Sequence, residues 1–346
     1  MARRLLWSSL ALAPLTLLLD LVANPDEVVI FVLSALSLVP LAWLIGESTE
    51  HAADHTGARI GGLLNASFGN APELIIALIA VHDRLPNVVR GSMAGSIVSN
   101  LLLVLGAAMA VGKDNGELDR RSLVVQLGLV ASAVMLFLVP SIPGLHGNPD
   151  RHSLAVLSIA PAAVLLVLYL VVTTLGLRKA EGPEDEASAA WSFRTALAAL
   201  AGATVLTALV SELLVHSLEA FAHAAHLSEF FIAMVIVAIV GNAAEHGGAV
   251  VIARREKMKL ATEIAVTSSA QVGLFVVPVI LLVSFAFAQP LTLAFRPIEL
   301  AAMAIAVVTV ALVVRDGRTR RWEGLFLIGL YAAMVVSFLF AGDRGG

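Results

Sequence analysis

The chain contains no cysteine among its 346 residues, and that absence removes two chemistries at once. Disulfide scaffolds and thiolate metal sites are both excluded. Charge is scarce as well: 14% of residues are Asp, Glu, Lys or Arg, against about 25% in ordinary soluble domains. No basic stripe of the kind nucleic acid needs is present, so no nucleic-acid partner is expected. Aromatic residues are few, and 4 Trp and 2 Tyr make only a thin interfacial belt. The motifs Gly-x-Ser-x-Gly and His-Glu-x-x-His and a paired aspartate are missing, which argues against an intramembrane enzyme. What the chain has instead is apolar sequence, 59% of residues with a mean hydropathy of +0.91. The fold class that follows is an all-α polytopic membrane protein.

Apolar runs of about 20 residues, the length a bilayer requires, predict about eleven spans. They are Leu5–Val22, Val28–Gly46, Ile60–Val81, Val88–Val111, Leu123–Pro140, Leu154–Leu175, Phe193–Val215, Phe230–Ala253, Ala261–Phe287, Leu291–Val314 and Trp322–Phe340. Pro86, Pro143, Pro149, Pro183 and Pro290 fall between or near spans. Pro40, Pro72, Pro161 and Pro278 fall inside them, where a helix kinks or opens. The first run also reads as a signal peptide, with Arg3 and Arg4 ahead of it and Leu21-Val22-Ala23 as a cleavage site; Asp20 argues against cleavage. With the N-terminus inside, 17 of the 22 Lys and Arg lie on the cytoplasmic side and 5 outside. That asymmetry predicts N-in, C-out and an odd number of spans.

Gly69-Asn70-Ala71-Pro72-Glu73 organises the chain, because it recurs 172 positions later as Gly241-Asn242-Ala243-Ala244-Glu245. At the same offset Ser96 falls on Ser268 and Ser99 on Gln271. Five spans separate the copies, so the second runs the opposite way through the membrane. Inverted-topology repeats of this kind hold their substrate site near the midplane. The expected organisation is a leading transmembrane helix (1–24), a first five-helix repeat (25–177), an acidic cytoplasmic linker (178–192), a second five-helix repeat (193–341) and a tail (342–346). The linker carries Glu181, Glu184, Asp185 and Glu186 and reads as a solvated connection or, more sharply, as a regulatory Ca²⁺ contact.

A charge at the centre of a bilayer costs about 2.5–3.5 kcal/mol on insertion scales, so Glu73 and Glu245 need a reason. Gly and Asn are poor in helix interiors, and Pro72 lacks a backbone donor. Together they predict a helix that breaks just before each glutamate and frees carbonyl oxygens. A hard cation such as Ca²⁺ takes about 6–8 oxygens; Glu73 and Glu245 give up to four, and Asn70, Asn242, carbonyls near Gly69 and Gly241, and water the rest. Neighbouring carboxylates repel, so the pair is neutralised by a divalent ion or by protons. Mutually exclusive neutralisation is a coupling mechanism. The bland alternative, glycines that only pack and glutamates paired to a basic partner, lacks a Lys or Arg at midplane depth.

Other polar residues carry weaker signals. Glu47 and Glu50 share a helix face, and Glu212 lies near the outer end of the seventh span, as relays at the two mouths or as solvated helix ends. Ser96, Ser99 and Asn100 after the first motif, and Ser268, Ser269 and Gln271 after the second, either complete a cation shell or hold helices together. His246 beside Glu245 either moves a proton or is a hydrogen-bonded spectator. Gly91-Ser92-Met93-Ala94-Gly95 is a small-residue packing element.

At these residues the chain resembles the calcium/proton exchangers of the cation/Ca²⁺ exchanger superfamily. The resemblance rests on the run Gly61 to Ile76, on Gly241-Asn242-Ala243-Ala244-Glu245-His246, on Thr49-Glu50, Ser211-Glu212 and on Gly95 to Asn100, and it covers Val28 to Phe340. It implies a secondary antiporter, not an enzyme, that exchanges cytoplasmic Ca²⁺ for external H⁺ by alternating access, with those two ions transported and no cofactor. By similarity Glu73 and Glu245 are Ca²⁺ ligands supported by Asn70 and Asn242, and Glu50, Glu212 and Gln271 carry gating and proton steps. Two departures from the family pattern stand out: Pro72 replaces a residue with a backbone donor, and Thr267 replaces a glycine. Na⁺ coupling, Mn²⁺ transport and a passive channel are the alternatives; opposed carboxylates fit alternating access better than a channel, which needs weak multi-site binding. The expected location is a bacterial-type inner membrane, and oligomeric state is not readable from the sequence.

Overall fold

The computed structural model describes residues 2–56, 64, 67–179 and 191–343. The acidic linker residues Glu181, Glu184, Asp185 and Glu186 lie outside them, as do residues 60–63, 65 and 66 of the expected third span. Among the described residues the protein is helical throughout, with one isolated bridge, Glu117 to Arg318. Among the described residues nine helices are long and apolar enough to cross a membrane, and a tenth span results if Leu218–Ala225 and Glu229–Gly241 form one broken crossing. Of the expected third span the structure describes the shorter apolar helix Ala71–His82. The chain divides into two compact units, each assembled from both halves of the sequence.

The first unit comprises Met1–Ile79, Val167–Ala225 and Val240–Ala244. Its spine is the long helix Glu27–Ala53, which opens where the Asp26 carboxylate caps the Val28 amide at 2.8 Å. It packs along Phe193–His216, opened in the same way by Ser192 capping Thr195. Ile45, Ala71, Leu200 and Ala203 form a buried cluster, flanked by Leu44, Phe68 and Ile75. The small residues in it let the helices approach without hydrophobic drive, as packing in lipid requires. Some of the hydroxyls that fall inside are turned back on their own helices, as in Thr49 Oγ1 to Ile45 O at 2.7 Å and Ser37 Oγ to Leu33 O at 2.7 Å. Three of the four tryptophans form a cluster instead of a distributed belt: Trp7 lies edge-on to Trp43 and tilted against Trp191, and His51 stacks on Trp191 at 4.8 Å.

The second unit comprises Ala80–Leu166, His226–Ile239 and Glu245–Gly346. The Gly91-x-x-x-Gly95 element does pack tightly. A Cβ at Gly95 would collide with the Met234 carbonyl and lie 2.8 Å from Ala238 Cβ. The span expected to begin at Leu291 instead starts with extended chain and becomes helical at Pro297. Leu291 to Phe295 are nevertheless buried. Extended backbone in an apolar interior survives only if other groups take its hydrogen bonds. Serines from three helices do so: Leu291 N donates to Ser284 Oγ (2.8 Å), Leu293 N to Ser158 Oγ (3.0 Å) and Phe295 N to Ser141 Oγ (3.0 Å). Arg90, placed at a span end by the sequence, is 1% exposed in the helix Pro86–Ser99. It bonds Asp150 at 2.6 Å, Thr292 Oγ1 at 3.0 Å and Asn87 at 2.8 Å, so its charge is fully partnered.

Replacing Ser158 by Ala leaves the buried Leu293 amide without an acceptor. The expected cost is about 1–3 kcal/mol, read as a lower melting temperature of the detergent-solubilised protein. Ser132→Ala, whose exposed hydroxyl only bonds Gly128 O, is expected to melt with the wild type.

Candidate cation site

Both Gly-Asn motifs interrupt helices where their composition says they should. Gly69 and Asn70 form a turn, and a new helix begins at Ala71; Asn242 forms a turn, and a new helix begins at Ala243. Each glutamate is therefore the third residue of a fresh helix, in the first turn. Amides of a first turn have no intrahelical acceptor and carry the positive end of the helix dipole. That field favours a carboxylate and offsets part of its desolvation. The same geometry accommodates Pro72, whose missing N–H falls where no intrahelical bond is made.

In the first unit Glu73 is 3% exposed, and Asn70 and Asn242 are fully buried. Gly241 stands directly against the Glu73 side chain: a Cβ there would lie 3.3 Å from Glu73 Cγ and 3.7 Å from Cδ. The glycine of the second motif thus makes room for the acid of the first. Glu50 and Glu212 belong to the same unit, near the ends of Glu27–Ala53 and Phe193–His216, and both are exposed. Glu47 is more enclosed and lies 3.6 Å from His51, which sits as far from Asp54 on its other side.

In the second unit Glu245 ends a hydrogen-bonded chain. His246 Nε2 and Asn100 Oδ1 are 3.0 Å apart; an amide oxygen only accepts, so the imidazole donates. Asn100 Nδ2 donates to Ser268 Oγ at 2.9 Å, and the Ser268 hydroxyl donates to Glu245 Oε2. Spacing alone does not choose between shell and packing roles for these residues; the geometry ties Asn100 and Ser268 to the carboxylate. Ser99 directs its hydroxyl to the Ser96 carbonyl at 3.2 Å, Ser96 is buried beside it, and Gln271 is half-buried at the end of its helix. Asn100 opens a π-helical segment, Asn100–Val104, and Val272–Val276 after Gln271 is another. Such segments are frequent at functional sites because they unsettle the backbone ladder locally.

The 172-residue offset extends to these boundaries. Ala71–His82 and Ala243–Arg254, Pro86–Ser99 and Met258–Gln271, and the π segments Asn100–Val104 and Val272–Val276 all begin and end 172 positions apart. Among the described residues no three His, Asp or Glu side chains cluster as a metal centre. A cation held at either acid would have to draw on amides, hydroxyls and carbonyls beside it, a donor set suited to hard ions.

An integral membrane protein with acids at the broken points of apolar helices has the construction of an ion transporter. Comparison with known proteins narrows the class. A family model described as sodium/calcium exchanger protein matches residues 27–177 and 195–340, and the chain belongs to that family. It is 36% identical over 339 residues to the Ca(2+)/H(+) antiporter ChaA of Bacillus subtilis (strain 168), covering 94% of this chain and 95% of that one. It is 34% identical over 342 residues to a Ca(2+)/H(+) antiporter of Aphanothece halophytica, covering 91% of each. The solved structure of native YfkE superposes with a TM-score of 0.85 at 34% identity, over 96% of this chain and 99% of that one.

Ser268→Ala removes the hydroxyl between Asn100 and Glu245. A hydrogen bond to a charged group contributes about 1.5–3 kcal/mol, so a fall of about tenfold or more in divalent-cation uptake by membrane vesicles is expected. Ser269→Ala, whose hydroxyl bonds the Ala265 carbonyl of its own helix and, at 3.4 Å, the Ile97 carbonyl, is expected to stay near wild type in the same assay.

Proposed function

We propose that the protein is a secondary antiporter, not an enzyme, that exchanges Ca²⁺ for H⁺. Glu73 and Glu245 act as ligands of one transported Ca²⁺, with Asn70, Asn242 and the backbone near Gly69 and Gly241 completing its oxygen shell. The observation that carries this reading is the paired construction itself: two acids in apolar surroundings, each the third residue of a helix opened by Gly-Asn. The relatives named as Ca(2+)/H(+) antiporters, similar over nine-tenths of the chain, supply the identity of the ions.

Two ionised carboxylates near one another need a positive partner, and Ca²⁺ provides it. When protons provide it instead, the site holds no metal. Crossing with one load or the other, but not empty, couples the two fluxes. The chain from His246 through Asn100 and Ser268 to Glu245 supports His246 as the group that passes or positions the proton. Glu50, Glu212 and Gln271 serve the gating and proton steps, the two exposed acids at the mouths; Ser96 and Ser99 set the helix beside Asn100. The recurrence of helix boundaries supports two repeats of opposite topology working by alternating access. The Lys and Arg bias supports a cytoplasmic N-terminus in a bacterial-type inner membrane, with uptake of external H⁺ driving Ca²⁺ out.

Everted vesicles test the reading. An imposed pH gradient, acid inside, is expected to drive Ca²⁺ uptake, and collapsing the gradient is expected to stop it. Uptake that follows a Na⁺ gradient, or runs without any gradient, would overturn proton coupling. Glu73→Gln and Glu245→Gln are each expected to abolish exchange while leaving the inserted protein at wild-type level, since the amide mimics the protonated acid. Comparable transport by either variant would remove that residue from the ligand set.

A further inference from the structure

A cavity of about 740 Å³ opens between the last two long helices, away from the residues discussed above. Its walls are Thr309, Leu312 and Val313 of Pro297–Val313, Arg315, Asp316 and Arg320 of the connecting turn, and Trp322, Glu323 and Phe326 of Arg321–Ala341. The lining is graded. Charged groups sit at the connecting turn, and Leu312, Trp322 and Phe326, all largely exposed, continue along the helices toward the apolar zone. Trp and Arg at this position are what a membrane–water boundary selects.

The two cations and two anions of the lining are not all paired with one another. Arg320 is shared between Asp316 (2.7 Å) and Glu323 (3.2 Å), and the other Asp316 oxygen accepts from the Arg318 amide at 3.1 Å. Arg315 is exposed and makes no ion pair among the described residues. Glu323 is 5% exposed, and its Oε2 has no hydrogen-bond partner among the described residues although it is buried. A buried carboxylate oxygen without a donor is costly. One unpaired guanidinium and one carboxylate oxygen without a donor sit at the charged end of a cleft whose other end is apolar, so its complement carries one anion, one cation and a hydrocarbon chain.

We propose that this cleft seats a phospholipid with a primary-ammonium headgroup. The phosphate lies against Arg315, the ammonium meets Glu323, and an acyl chain follows Leu312, Trp322 and Phe326. Guanidinium and phosphate match in geometry and charge, and an ammonium supplies the donor that Glu323 Oε2 lacks. An anionic headgroup without an amine leaves that oxygen unsatisfied, and a quaternary amine has no N–H to give it.

Native mass spectrometry of the purified, delipidated full chain tests this with four probes: phosphatidylethanolamine, phosphatidylcholine, phosphatidylglycerol and soluble glycerophosphoethanolamine. The ethanolamine lipid is expected to bind about tenfold more tightly than the other two lipids, the value of one charge-assisted hydrogen bond. The chain-free headgroup is expected not to displace it at equal concentration. Glu323→Gln is expected to erase the preference for ethanolamine over choline, and Arg315→Gln, at an exposed position that folding does not need, to weaken all three lipids. Equal retention of the three lipids, unchanged preference in both variants, or displacement by the soluble headgroup would each overturn the proposal.

Discussion

In hydrocarbon a polar group cannot turn to water, so each one must find its partner within the protein, and this requirement governs the present structure. The extended stretch Leu291–Phe295 is held by Ser141, Ser158 and Ser284 because its amides have no helix to bond within. Arg90 is tolerated in the interior because Asp150, Thr292 and Asn87 surround its guanidinium. Interior hydroxyls such as Thr49 fold back to the carbonyl one turn earlier. The same rule sets off the two acids, which the chain places at fresh helix starts, where orphan amides and the helix dipole favour a negative charge.

Those helix starts join local backbone chemistry to transport. A continuous helix would keep its carbonyls and amides to itself. Breaking it at Gly-Asn releases both kinds of group beside a carboxylate, and that is the raw material of an ion site. The π segments that follow, at Asn100–Val104 and Val272–Val276, disturb the neighbouring helices in the same two places of the repeated pattern. One consequence is a chain of side chains, His246 to Asn100 to Ser268 to Glu245, that spans two sequence regions about 150 residues apart in places. Gly241 has a comparable part in the other unit, where its lack of a side chain leaves Glu73 its space.

Membership of the sodium/calcium exchanger family agrees with the reading that the motifs suggested, and the shared fold extends over nearly the whole chain. The polytopic all-helical class followed from apolar runs, since hydrophobic length is a property of contiguous sequence. The helix breaks followed from Gly, Asn and Pro, whose backbone preferences act within a few residues. Span limits were less legible. The extended start at Leu291 reads as apolar helix, because the serines that satisfy it come from segments whose approach no local pattern announces.

By itself the sequence determined the membrane class, the two acidic motifs with their broken helices, and the 172-residue recurrence, all of them local or periodic features. Only the tertiary structure decided that Ser268 and Asn100 serve Glu245, that Gly241 faces Glu73, that Arg90 is buried with Asp150, and that three tryptophans cluster. Each of these depends on which helices meet and in what register. In a chain this apolar, nearly every helix face is a permissible packing face, so composition cannot select among them and the polar contacts between distant segments must.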